Sequence, residues 1–246
     1  MKFFKGSLMI ILFLVLLVGI GNAFASDLND LNSTIEQNNE IIDDNPIHES
    51  NEIEVETWED IQYYASLNDK NYVLKLKENT NYYPKNVASI DNQIIFNNNV
   101  TIMGSEGAYI GDSSDNPRSI AYTAMKVPDD SGVGITFKGV TFKWISTRYQ
   151  PDALFFIMGG NAVNTFQDCF FTDISTYFGH SAILQIRLGD LIVKNCSFIN
   201  CTNDYGCLSV FNPDDDPSAL CTRARMNVTD SYFEGNYART DRKSVV

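Results

Sequence analysis

Histidine is almost missing from this chain of 246 residues, with only His48 and His180 present. They stand far apart, so a zinc centre built on paired imidazoles has no support. No Gly-x-Ser-x-Gly segment occurs, which removes the nucleophile elbow of serine hydrolases. Beyond the N-terminus no apolar run reaches the roughly 18 to 20 residues that a bilayer span takes. Basic residues are scarce, 18 Lys and Arg against 31 Asp and Glu, for a formal net charge of −13. Such a surface is repelled by nucleic acid and by anionic membrane. The five cysteines are an odd number, so one thiol stays free or pairs outside this chain.

The N-terminus carries what a secretory signal needs. Lys2 and Lys5 form the charged part, residues 8–20 the apolar part, and Ala23-Phe24-Ala25 the small-x-small site before Ser26. Residues 1–25 are therefore expected to be a signal peptide, and the mature chain is expected to be secreted or held at the cell surface. The alternative is an uncleaved anchor, for which this apolar part is short. Cleavage removes two lysines and takes the formal charge from −13 to −15. Residues 26–56 are rich in Asp, Glu and Asn, with no Lys or Arg. They read as a disordered acidic linker that repels itself. Thr57 then begins a short helix, with acidic residues in its first turn and Trp58, Ile61 and Ala65 on one face.

A repeat dominates the rest. Phe137-Lys138-Gly139-Val140-Thr141-Phe142 recurs as Phe166-Gln167-Asp168-Cys169-Phe170-Phe171, as Val193-Lys194-Asn195-Cys196-Ser197-Phe198 and as Val228-Thr229-Asp230-Ser231-Tyr232-Phe233. The starts lie 29, 27 and 35 residues apart. Periods of that size mean stacked units, none able to bury its apolar face alone. Apolar side chains two apart flank a Gly, Asp or Asn, which marks two strands joined by one bent residue. A third apolar run precedes each motif, at residues 121–127, 153–158, 182–188 and 208–211. Three strands per unit, each beside its equivalent in the next, predict an all-β fold: a right-handed parallel β-helix solenoid over residues 57–246, capped by the short N-terminal helix.

On these motifs, over about residues 57–237, the chain resembles the right-handed parallel β-helix, pectate-lyase-like superfamily. It is most similar there to archaeal adhesin-like surface proteins, whose coils carry stretches like the one from Val193 to Asn203. The resemblance implies fold; this fold serves lyases, hydrolases and adhesins alike. Enzymes on it group carboxylates or basic residues on one outer strand face, about 5 Å apart on neighbouring coils. The third runs contain no Asp or Glu. Alternation places Ser181, Ile183, Gln185 and Arg187 outward, with Tyr122 and Lys126, then Phe155 and Ile157, then Ser209 and Phe211 on neighbouring coils. The polygalacturonase Gly-His-Gly signature is absent, since Gly179-His180 is followed by Ser181. Arg-Ile-Lys is absent too, since Arg187 is followed by Leu188. No catalytic residue, metal or cofactor is expected.

Tyr122, Phe155 and Phe211 are the expected ligand-stacking aromatics. Sequons at Asn32, Asn99, Asn195, Asn200 and Asn227 are the expected glycosylation sites, with Asn195 and Asn227 near the bend. Cys169 and Cys196 hold one inward place in successive units. A Cys207–Cys221 disulfide would close the excursion at residues 212–220, and Cys201–Cys207 is its competitor. Asp214-Asp215-Asp216 lacks the ligand spacing and glycine of a calcium loop. The expected function is a non-catalytic exported segment of a cell-surface adhesin-like protein, a binding or spacer module whose partners are surface glycans or another cell. A polysaccharide lyase or hydrolase on the same scaffold and a purely structural envelope stalk are the alternatives. The polar tail after Tyr237 makes no further strand, so the stack is expected to be cut short or to associate end to end.

Overall fold

The structure is a computed structural model that describes residues 52–128, 131–147, 153–157, 162–176, 182–210 and 224–238. All lie in the unit Ser50–Val246. It begins with strand β1 (Glu52–Val55) and helix α1 (Trp58–Ser66). The helix starts where its chemistry dictates. Thr57 Oγ1 accepts from the Asp60 amide at 3.1 Å, and the Asp60 carboxylate accepts from the Thr57 amide at 2.9 Å. This capping box satisfies two amides that a helix start leaves orphaned. Burial works against ionisation of Asp60, but these hydrogen bonds win and hold its carboxyl below the usual range. Trp58, Ile61 and Ala65 are buried, and Trp58 Nε1 donates to the Asn92 carbonyl at 2.8 Å.

Six units follow. The first holds β2 (Tyr72–Leu76), β3 (Asn81–Tyr82) and β4 (Ile94–Ile95), and α1 packs on β2 and β4. The second holds β5 (Val100–Met103), β6 (Tyr109–Ile110), β7 (Ser119–Ile120) and β8 (Met125–Val127). The third holds β9 (Ile135–Lys138), β10 (Thr141–Thr147) and β11 (Phe155–Ile157). The fourth holds β12 (Val163–Gln167), β13 (Phe170–Thr176) and β14 (Leu184–Ile186). The fifth holds β15 (Asp190–Lys194), β16 (Ser197–Ile199), β17 (Thr202–Asn203) and β18 (Leu208–Val210). The sixth holds β19 (Arg225–Thr229), β20 (Tyr232–Glu234) and β21 (Tyr237–Ala238).

Each strand pairs in parallel with its counterpart in the neighbouring unit. The first sheet runs β1-β2-β5-β9-β12-β15-β19, the second runs β3-β6-β10-β13-β16-β20 with β7, β17 and β21 alongside, and the third runs β4-β8-β11-β14-β18. The chain is thus all-β with parallel sheets and, among the described residues, one α-helix. Register stacks the repeat on itself. Phe137, Phe166, Val193 and Val228 form one column. Phe142, Phe171, Phe198 and Phe233 form another. In the second column the rings stack nearly parallel to one another, 4.6, 4.5 and 4.9 Å between centroids. That is the strand spacing itself, so the backbone ladder sets the ring stack.

The bend residues take the left-handed conformation that the motif requires. Gly139, Asp168, Asn195 and Asp230 have φ of 64°, 56°, 50° and 52°. Glycine and short polar side chains reach that region at least cost. One boundary differs from expectation. Glu52–Val55 is a strand, not linker: Ile53 and Val55 alternate within the acidic stretch, and the four residues pair with Val73, Leu74, Lys75 and Leu76. The units at residues 72–82 and 100–110 also belong to the ladder, with Leu74 and Ile102 below Phe137, and Tyr82 and Ile110 below Phe142.

Candidate functional site

Each of the last four units has two left-handed positions five residues apart. The first is the bend above. The second falls five residues later, at Trp144, Asp173, Asn200 and Gly235, with φ of 54°, 53°, 54° and 63°. Between the two, a short outward run projects one side chain per unit at each place. A bulky residue in the left-handed region is a true outlier, and Trp144 stands where its equivalents are Asp, Asn and Gly.

The expected stacking aromatics are not brought together. Tyr122 is half-buried just before β8. Phe155 is a correction: it is 1 % exposed and packs edge-on against Phe137, Phe142 and Phe166. Its register partners are Met125 and Leu184, both buried. The register column beside it is Lys126, Phe156, Gln185 and Ser209: Lys126 and Ser209 stand as expected, Phe156 takes the place expected of Phe155, and Gln185 is covered at 2 % exposure. Alternation slips because the chain turns a corner there. Ala153, Leu154 and Phe155 are buried in succession, as are Ala182, Ile183 and Leu184, so Ile183 is also inward rather than outward. Phe211, His180, Asp214, Asp215, Asp216 and Cys221 lie outside the described residues, as do Asn32 and the signal segment.

Of the described sequons, Asn99, Asn195, Asn200 and Asn227 are all exposed. Asn99 Oδ1 accepts from the Gly134 amide at 2.8 Å, and Asn195 Nδ2 donates to Asp168 Oδ1 at 2.6 Å. Asn227 sits mid-strand beside Ile192, not at the bend. Cys169 and Cys196 occupy neighbouring inward places, 2 % and 1 % exposed, and their thiols donate to the carbonyls of Phe137 and Phe166. The hydrogen bond with Cys196, together with burial, pushes the Cys169 thiol up. Cys201 and Cys207 likewise touch through their thiols, and that contact and burial push Cys201 up. All four carry free thiols. Among the described residues no group of three His, Cys, Asp or Glu is placed to hold a metal ion.

The second sheet carries an outward column that the motif conceals. Asn81, Tyr109, Thr141, Phe170, Ser197 and Tyr232 stand one above another on β3, β6, β10, β13, β16 and β20. Polar and aromatic residues alternate without a break. Phe170 is 38 % and Tyr232 54 % exposed, and Tyr109 is half-buried. Beside Tyr109 lies Trp144, edge-on with centroids 6.0 Å apart. Lys143 Nζ sits 3.9 Å from the Tyr109 ring and 4.3 Å from the Trp144 ring. Tyr232 donates to Glu234 Oε2 at 2.9 Å, and this bond raises the Tyr232 pKa. The signal lay in the fifth place of the repeat, which reads Thr141, Phe170, Ser197, Tyr232.

Asp112 and Arg118 fix the loop between β6 and β7. Arg118 Nε meets Asp112 Oδ2 at 3.0 Å, and the Arg118 amide donates to the same oxygen at 2.9 Å. Burial opposes ionisation of Asp112, but the Arg118 side chain and the backbone donors hold its carboxyl below the usual range. Comparison of the chain with family models, with curated proteins and with solved structures finds no match to any of them.

Proposed function

We propose that this chain is a right-handed parallel β-helix of the adhesin-like kind, exported by its N-terminal signal, and that it serves as a non-catalytic glycan-binding or spacer module at the cell surface. The observation that carries the reading is the continuous parallel ladder of six units. Such a ladder holds outward side chains in straight columns at one strand spacing. Right-handedness follows from the strong preference of crossovers between parallel strands in one sheet. A module rather than an enzyme is favoured by the composition of the third-sheet column, where Lys126, Phe156, Gln185 and Ser209 offer no pair of carboxylates for glycoside hydrolysis. The acidic balance of the chain, −13, suits an extracellular surface that avoids nucleic acid and anionic lipid.

The reading is tested with the full-length protein against a panel of polysaccharides and whole cells, with sugar release followed in the same tubes with and without calcium. Retention of at least one polysaccharide or cell type without release is expected. Release of unsaturated or reducing sugars that disappears on substituting Lys126 or Arg187 would mean an enzyme. No retention by any target would leave only the stalk.

A further inference from the structure

The outer column of the second sheet has a period of its own. Tyr109, Phe170 and Tyr232 stand on every second strand, with Asn81, Thr141 and Ser197 on the strands between. Two strand steps amount to about 9.6 Å, so the aromatics are repeated at that distance along the stacking direction. An extended chain of equatorially β-1,4-linked hexopyranoses has a matching construction. Each sugar advances by about one strand spacing and is turned over relative to the last. Every second sugar therefore offers the same apolar C–H face, the sugars between offer the opposite C–H face, and the equatorial hydroxyls lie along the ring edges.

We propose that this face is a track for a neutral β-1,4-linked polysaccharide lying along the stack. Tyr109, Phe170 and Tyr232 would each meet one C–H face, as amphipathic aromatics do where one side is apolar and the other wet. Asn81, Thr141 and Ser197 would bond equatorial hydroxyls at the edges of the sugars between. Charge points to a neutral rather than an anionic chain. The protein carries −13 overall, whereas none of the six residues of the column is charged. An independent observation lies at the Tyr109 end. Trp144 is held at φ 54° in a place filled elsewhere by Asp173, Asn200 and Gly235. Strain of that kind is kept where the side chain is needed, and Trp144 widens the aromatic surface beside Tyr109. Lys143, over both rings, adds donors for sugar hydroxyls. The proposal rests on the glycan-binding form of the reading above and gives it a face and a substrate class.

Calorimetry of the full-length protein with cellohexaose, chitohexaose and maltohexaose tests it. At least one of the two β-linked hexasaccharides is expected to bind, and maltohexaose at least tenfold more weakly than that one. Phe170→Ala, at the centre of the track, is expected to weaken binding at least tenfold, and Phe170→Tyr to retain it. Tyr232→Ala gives a second reading at a site that is already more than half exposed. Phe156→Ala, on the other sheet, is expected to change nothing. Binding that survives both Phe170→Ala and Tyr232→Ala, or that is as strong for maltohexaose, overturns the track while leaving the glycan-binding reading intact. Absence of binding to both β-linked hexasaccharides also overturns it; the polysaccharide and cell panel then decides separately whether the wider reading falls too.

Discussion

Replacing Phe171 with Ala perturbs the centre of the ring stack. Phe171 is fully buried, with Phe142 at 4.6 Å and 6° on one side and Phe198 at 4.5 Å and 2° on the other. Burying a phenylalanine side chain contributes about 1.5–3 kcal/mol. The cavity left by truncation raises the loss to about 3–5 kcal/mol. The neighbouring rings are held by the ladder and cannot close the gap, so the upper half of that range is expected. Phe233 is the contrast. Among the described residues it stacks on one ring, Phe198 at 4.9 Å, and is half-buried. Phe233→Ala is expected to cost about 1–2 kcal/mol, since less area leaves water and one stack rather than two is lost. Urea unfolding followed by far-UV circular dichroism measures both. For a unit of this size each kcal/mol moves the melting temperature by about 2–4 °C, so a thermal scan separates the two variants as well. Equal losses at Phe171 and Phe233, or a loss under about 1 kcal/mol at Phe171, would refute the argument from stacking.

Three further outcomes follow from the same geometry. Gly139 lies at φ 64° with open space where a Cβ would stand, whereas a Cβ on Gly111 would lie 1.6 Å from the Lys143 carbonyl oxygen. Gly139→Asn is therefore expected to cost only a few tenths of a kcal/mol and Gly111→Ala more than about 3 kcal/mol in the same unfolding assay. Asp112 has a depressed folded-state pKa, so its contribution is present above the unfolded value of about 3.9 and is lost as pH falls through the folded value; Asp112→Asn is expected to flatten the acid limb of a stability–pH curve, and an unchanged limb would contradict the ion pair's role. Iodoacetamide added to the reduced native protein is expected to reach Cys207, 7 % exposed, before Cys169 and Cys196, at 2 % and 1 %; peptide mass mapping that finds the opposite order would displace Cys169 and Cys196 from the core.

Much of the fold is legible in the residues from Phe137 onward. Apolar side chains two apart around a Gly, Asp or Asn specify two strands and a left-handed joint, and the joints at Gly139, Asp168, Asn195 and Asp230 all have positive φ. The first two units escape the pattern for a physical reason. Their joints, Asn79 and Gly107, fall five residues after Leu74 and Ile102, where the later units place theirs two residues after Phe137 and Phe166. The longer arc breaks the hexapeptide without breaking the ladder. Period two alone misplaces Phe155 and Ile183 on the third sheet, while its outward placing of Lys126 and Ser209 agrees with the register. Consecutive buried residues at a corner, Leu154 and Phe155 or Ile183 and Leu184, shift the phase by one. The second left-handed column is hidden because Trp144 occupies it in the third unit, and no propensity rule places tryptophan there. The aromatic column shares that fate: its members fall at a place of the repeat that carries no core residue, so their alternation means nothing until the register aligns them.

The six units in one straight parallel register underlie every surface described. Lys75 and Lys194 stand in one outward column through Met103, Lys138 and Gln167, and both are exposed. Four strand steps separate them, about 19 Å between backbones. Spin labels at these two positions, measured by pulsed electron resonance, should give a single narrow distance population consistent with that separation. A broad population centred well beyond it would contradict the stack, and with it the columns on which the proposed binding face depends.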